Sequence, residues 1–397
     1  MEAPPDNVII LGAGASADAG IPLLGEFIDT MLDIARRGKR HDKAVSKDDL
    51  AVIEQGLRVR EELDSYHGRA AFDVWNIEDI LSILAFSNQG GLERMTKAIG
   101  KVIEITCSVN HDGNLTTKQL NTSMYMRFWR ALINWSQERR LPIPPILTFN
   151  YDLVLERSLL HALVGTYYGT EKNLNRQGIE VRYSADAIDN IRLKAQQGQW
   201  RKDIGSNPTR GTMLREFTKS EDPNSFDLLT IEILKLHGSL NFPRPDFAKD
   251  VLTTNLEKLI YPLDDPLILP PVFNKLTTSV GKDVWSHALQ VLRSCKNLTI
   301  CGYSLPATDI YMQYFLKAAL GPNKDLNRIY VFDPTLFDKD DTERGHALRE
   351  RYARNFSEPI QRRIEFQPWI AEERGYEGTM RHLTEVLHDK PHMLLLG

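Results

Sequence analysis

Five stretches place small or polar residues where chemistry can be done. Gly12-Ala13-Gly14-Ala15-Ser16-Ala17 directly follows the apolar run Asn7–Leu11. It fits G-x-G-x-x-A between a strand and a helix, where glycines let the backbone approach a pyrophosphate and the helix start offers amides. A tight turn of small residues for helix–sheet packing has the same pattern. Asn150 and Asp152 follow the run Ile146–Phe149, and His237 follows Ile231–Leu236. Ser304, in Gly302-Tyr303-Ser304-Leu305, follows Asn297–Cys301, and Asp333 follows Arg328–Phe332. An imidazole titrating near ~6.5 suits a general base at neutral pH. Each residue also has a plainer use. Asn150 or Asp152 caps the helix that follows, His237 is a satisfied core histidine, and Ser304 bonds within a turn. Cys301 ends an apolar strand and reads as inert core. The other nine of the ten histidines lack motif context and read as structural.

The elements that must position these residues alternate as strand, loop and helix. Continuous β-branched runs at 7–11, 146–149, 231–236, 297–301 and 328–332 suit strands buried on both faces of a parallel sheet. Shorter runs at 267–269 and 364–367 read as further strands. Helical periodicity marks 26–37, 47–66, 77–86, 124–139, 282–293 and 309–319. The fold class is α/β, a Rossmann-like parallel sheet with helices on both faces and a large helical insertion. In such a sheet the carboxyl ends of the strands form the ligand crevice, and all five polar positions fall there. The expected core is 1–25, 141–164 and 228–340, interrupted by a helical insertion at 26–140 and a polar insertion with some helix at 165–227. Residues 341–397 form a C-terminal helix and strand extension. The basic stretch 36–40 reads as a solvated turn.

With 397 residues, 42% hydrophobic and 26% charged, the chain is that of a globular protein and not of a coiled coil, collagen or disordered polymer. The net charge of −4 supplies no global basic field, so direct nucleic-acid binding is not expected. No run approaches the ~18 apolar residues of a membrane helix. No signal peptide opens the chain, so the expected location is cytoplasmic. Only Cys107, Cys295 and Cys301 occur, too few for a four-cysteine zinc module, so no zinc is expected.

Gly12-Ala13-Gly14-Ala15-Ser16 with Gly20-Ile21-Pro22 resembles the opening NAD-binding loop of sirtuins. Thr148-Phe149-Asn150-Tyr151-Asp152 resembles their T-x-N-x-D motif, His237-Gly238 their catalytic His-Gly, and Gly302-Tyr303-Ser304-Leu305 their G-x-S-L loop. The wording T-F-N-Y-D, K-L-H-G-S-L-N and G-Y-S-L-P-x-T-D is similar to bacterial sirtuin-like antiphage effectors, stand-alone NAD hydrolases. The deacetylases' zinc module is missing, and Leu23-Leu24-Gly25 replaces their Asp-Phe-Arg.

The resemblance implies NAD⁺ as substrate. Asn150 holds a ribose hydroxyl or the attacking water, and His237 acts as base. Asp152 accepts from the nicotinamide carboxamide. Gly12, Ala13, Gly14 and Ser16 cradle the diphosphate. Gly302 and Ser304 meet the ribose-phosphate, and Asp333 the adenosine ribose. The implied activity is NAD⁺ glycohydrolysis to nicotinamide and ADP-ribose, used in antiphage defence to deplete NAD⁺. A sirtuin-type protein deacylase or ADP-ribosyltransferase, and a non-catalytic nucleotide-binding regulatory subunit, are the alternatives. Hydride transfer lacks a supporting acid–base pair. A toxic NADase needs control, so a homo-oligomer and a HerA-type hexameric ATPase partner are expected. The apolar tail Met393–Leu396 either docks on a neighbour or finishes a core.

Overall fold

The computed structural model describes residues 5–40, 43–66, 73–109, 119–164, 178–186, 188–200, 209–244, 254–269, 279–306, 309–336, 343–367 and 378–396. Pro270-Pro271, Ala307-Thr308 and parts of 165–227 and 341–397 lie outside them.

Among the described residues, nine strands form the central sheet. In chain order they are β1 (Asn7–Leu11), β2 (Ile146–Thr148), β3 (Gly178–Arg182), β4 (Ile191–Trp200), β5 (Thr209–Arg215), β6 (Leu228–Lys235), β7 (Asn297–Cys301), β8 (Arg328–Phe332) and β9 (Ile364–Phe366). Their spatial order is β9-β8-β7-β1-β2-β6-β3-β4-β5. Pairing is parallel from β9 to β3, and β4 and β5 add antiparallel at one edge. β1 is buried along its whole length because both neighbours and the helices around the sheet cover it. An α/β Rossmann-like fold is therefore what the chain adopts.

The polar stretch 165–227 differs from expectation. Its described part holds only one 3-10 turn, Pro223–Ser225, and otherwise supplies β3, β4 and β5. The strand signal is diluted on one face, where Glu180 stands opposite Arg192 in the register and bonds it at 2.6 Å. The other face keeps the alternation of Ile179, Val181, Ile191 and Leu193, all buried. The run at 267–269 is a strand, Pro266–Ile268, but it pairs antiparallel with Gly238–Pro243 outside the central sheet.

The insertion at 26–140 is helical: α1 (Phe27–Arg37), α2 (Lys47–Tyr66), α3 (Ile77–Ser87), α4 (Gln89–Thr106) and α5 (Gln119–Arg139). α4 lies outside the segments that periodicity marked, and Gly90-Gly91 weaken the helical pattern in its first turn. It starts because the Asn88 side chain accepts from the Gly91 amide at 2.9 Å. The insertion is fastened to the core by the Tyr125 hydroxyl, which donates to the Ala15 carbonyl at 2.6 Å, and by Trp129 Nε1, which donates to Leu155 at 2.9 Å. Beyond β2 runs α6 (Val154–Val164), and α7 (Ser279–Ser294) and α8 (Ile310–Leu320) flank β7 in the chain. The C-terminal extension holds α9 (Glu343–Asn355) and α10 (Thr379–Asp389), and α10 packs on α5 and on β7 and β8. The tail finishes a core: Leu394 and Leu395 are buried, and Asn7 at the start of β1 exchanges two hydrogen bonds with the Leu396 backbone. Among the described residues no helix is long and apolar enough to cross a membrane.

Candidate functional site

Because β1, β2, β6, β7 and β8 are parallel neighbours, their carboxyl ends reach the same edge of the sheet. A cleft open to solvent lies there. Ala13 and Ser16 after β1, Asn150 and Asp152 after β2, His237 after β6, and Gly302 and Ser304 after β7 all line it. Loops from four separate strands thus meet on one cleft.

The glycine loop serves packing first. The amides of Gly12, Gly14, Ala15 and Ser16 donate to the carbonyls of Cys301, Gly302, Gly12 and Ala13 at 2.9–3.0 Å. A Cβ on Gly12 would sit 2.4 Å from the Gly302 carbonyl oxygen, and Gly12 and Gly14 are not on the cleft wall. The two loops can only interlock because Gly302 holds a φ of +67° with its α-carbon against Ala15. These amides are therefore not a free phosphate cradle. The polar group this loop offers is the Ser16 hydroxyl, which accepts from Asn150 at 2.7 Å and keeps its own proton to donate.

Asn150 is bound to that loop. Its side-chain amide donates to the Gly12 carbonyl at 2.9 Å and to Ser16 Oγ, while its backbone amide donates to Thr148 Oγ1 at 3.1 Å. Both amide hydrogens are engaged, which leaves Oδ1 to accept from a ligand. Asp152 accepts from the Val154 amide at 3.0 Å, so it caps α6 as well as lining the cleft.

His237 is only 6% exposed. Its ring sits among Phe149, Tyr151 and Trp285, with centroids 5.3, 6.2 and 6.4 Å away. The turn after it depends on Gly238, whose φ of +81° starts the strand that pairs antiparallel with Pro266–Ile268; a Cβ there would stand 2.1 Å from the Leu267 carbonyl oxygen. The His-Gly pair is thus a side chain followed by the only residue type that can make its turn.

Ser304 faces the cleft, and its loop is held from behind by the C-terminal extension. Arg351 donates to the Ser304 carbonyl at 2.9 Å and the Tyr352 hydroxyl to the Tyr303 carbonyl at 2.8 Å. Asp333 is not brought to the cleft wall. It is buried, accepts from the Thr335 amide and hydroxyl at 3.0 and 2.8 Å, and burial raises its carboxyl above the usual range. The three thiols are buried and unpaired. Cys301 bonds the Thr379 carbonyl, and burial pushes its thiol well up, as suits an inert core cysteine.

Several wall residues carried no motif. The insertion supplies an apolar wall with Phe27, Ile77, Leu81, Ile99 and Ile103, and one carboxylate, Glu78. Asp309, the last residue of G-Y-S-L-P-x-T-D though given no role from the sequence, also lines the cleft from the start of α8 and accepts from the Tyr303 hydroxyl at 2.9 Å. Glu78 sits in the first turn of an ordinary amphipathic helix, so nothing in its neighbours singles it out. The chain matches no protein-family model, and no curated protein is significantly similar to it.

Proposed function

We propose that the cleft binds NAD⁺ and hydrolyses its nicotinamide–ribose bond. The observation that carries this reading is that Asn150 and His237, from loops after the adjacent strands β2 and β6, line the same cleft. The cleft opens to solvent at the sheet edge, so the part of a dinucleotide not held by Asn150 and His237 can extend outward. As the C1′–N bond breaks, its electron pair returns to the pyridinium nitrogen and C1′ becomes oxocarbenium-like. Water attacks C1′, its oxygen forming the new bond and its proton passing to His237. Asn150 Oδ1 accepts from that water or from a ribose hydroxyl and fixes its line of approach. Asp152 is within the same wall to accept from the carboxamide, and the Ser16 hydroxyl is the donor for a phosphate oxygen. The buried aromatic surroundings of His237 exclude bulk water from the ring face.

The motif resemblance extends the proposal to an antiphage effector that depletes NAD⁺ and is gated by assembly: the isolated homo-oligomer is slow on NAD⁺, and a partner such as a HerA-type ATPase raises its rate. The test is chromatography of NAD⁺ incubated with purified protein, with and without an acyl-lysine peptide. Equal nicotinamide and ADP-ribose with the peptide untouched supports hydrolysis. Deacylated peptide, or no nicotinamide either from the protein alone or after a HerA-type ATPase is added, contradicts it.

A further inference from the structure

We propose that Lys235 and Glu156 are positioning residues, a buried ion pair that sets the Asn150–Asp152 turn at its working distance from His237. The inference rests on the reading that Asn150 and His237 act together on NAD⁺.

Lys235 ends β6, two residues before His237, and stands opposite Thr148 in the β2–β6 register. Its ammonium lies 3.0 Å from Glu156 Oε1 on α6 and donates to the backbone carbonyl of Asp152. The side chains are 1% and 0% exposed. Lys235, Asn150, Asp152 and Ser16 also share the wall of a small void behind the cleft. One side chain therefore spans from the strand that carries His237 to the turn that carries Asn150.

The arrangement is costly if its purpose is stability. Desolvating two charges often exceeds their attraction, and apolar residues of similar volume do as well or better. Glu156 Oε2 has no hydrogen-bond partner. Burial pushes the Glu156 carboxyl upward and Lys235 draws it back. Glu156 is itself fixed from the far side. The Tyr183 hydroxyl approaches Oε1 at 3.4 Å and accepts from Asn241 Nδ2 at 3.1 Å. The chain of contacts links the strand Gly238–Pro243 after His237, the segment after β3, α6 and the Asn150 turn. Such a network fixes geometry where a patch of leucines would leave it loose.

The test replaces the pair together, Lys235→Met with Glu156→Leu, so that no lone charge is buried. The variant should stay folded by thermal melting and near-ultraviolet circular dichroism. Its kcat on NAD⁺ should fall by about 10²-fold with KM little changed, as misplacement of a reacting group predicts. Amides of 149–153 should exchange with deuterium about tenfold faster while β1 and β7 hold their rates. A folded variant with wild-type kcat and wild-type exchange overturns the proposal. Should the double variant not fold, Glu156→Gln, which keeps the volume, is read by the same two criteria. Faster exchange at 149–153 in a protein whose wild type leaves NAD⁺ intact removes the NADase reading and leaves this inference standing. Wild-type cleavage with unmoved kcat and exchange in the variant does the reverse.

Discussion

Asn150 holds the glycine loop with one side of its amide and presents the other to the cleft. Losing it therefore affects fold as well as function. Asn150→Ala removes two partly buried hydrogen bonds at about 1 kcal/mol each, so stability should drop by about 2 kcal/mol in urea unfolding. No change in the urea midpoint would show that the side chain is free in solution. The type and strand-end position of Asn150 and His237 were legible in the sequence. The engagement of the loop amides by Gly302 and its neighbours was not, since it depends on a strand about 290 residues away, β7. Asp333 is different: its observed partner, Thr335, is only two residues on, and the sequence did not show that its loop lies away from the cleft wall. A carboxylate at a strand end serves either use, and only the loop's path decides.

The elements that hold the site divide into those with long apolar runs and those without. β1, β7 and β8 have the bounds the sequence suggests, because a fully buried strand must be apolar throughout. β3 to β5 were not legible, because ion pairs such as Glu180–Arg192 occupy one face and break the apolar run. Where the loops interlock, glycine is dictated by space. Gly302→Ala forces a left-handed φ on a residue with a Cβ and puts that Cβ 2.3 Å from the Ala15 nitrogen. It should cost about 3 kcal/mol or more. Gly25→Ala, with nothing within 4 Å, should change stability by less than about 0.5 kcal/mol. Equal thermal shifts for the two variants would contradict the interlocked-loop account.

At the scale of the molecule, the two additions to the sheet do more than enlarge it. The insertion makes one wall of the cleft, and the C-terminal extension braces the Gly302–Leu305 loop through Arg351 and Tyr352. Both contributions join segments far apart in sequence, which is why periodicity placed the helices without revealing their purpose. The tail closes the sheet at Asn7, so Asn7→Ala should lower stability by about 2 kcal/mol through the two lost bonds to Leu396. An unchanged unfolding midpoint would mean that the tail is not docked in solution. The docked α10 also carries a pH response. Burial against Phe332 holds the His382 imidazole down at about 4. Between roughly 6.5, the ordinary value, and about 4 the unfolded chain binds a proton that the folded one refuses. This contribution is intact above that window and is lost as pH falls through it. His382→Leu should therefore lose less of its melting temperature than wild type between pH 6.5 and 4. Parallel curves would show that His382 is not buried as described.

All of these devices converge on one pair of side chains, so the central claim is tested most directly by NAD⁺ turnover in wild type, Asn150→Ala and His237→Ala. Nicotinamide release is followed at matched concentrations of proteins shown to be folded. Wild type should release nicotinamide and ADP-ribose in equal amounts, and each variant should be slower by about 10²–10⁴-fold. Turnover in a folded His237→Ala protein equal to that of wild type, or no turnover in wild type either alone or after a HerA-type ATPase is added, would contradict the account.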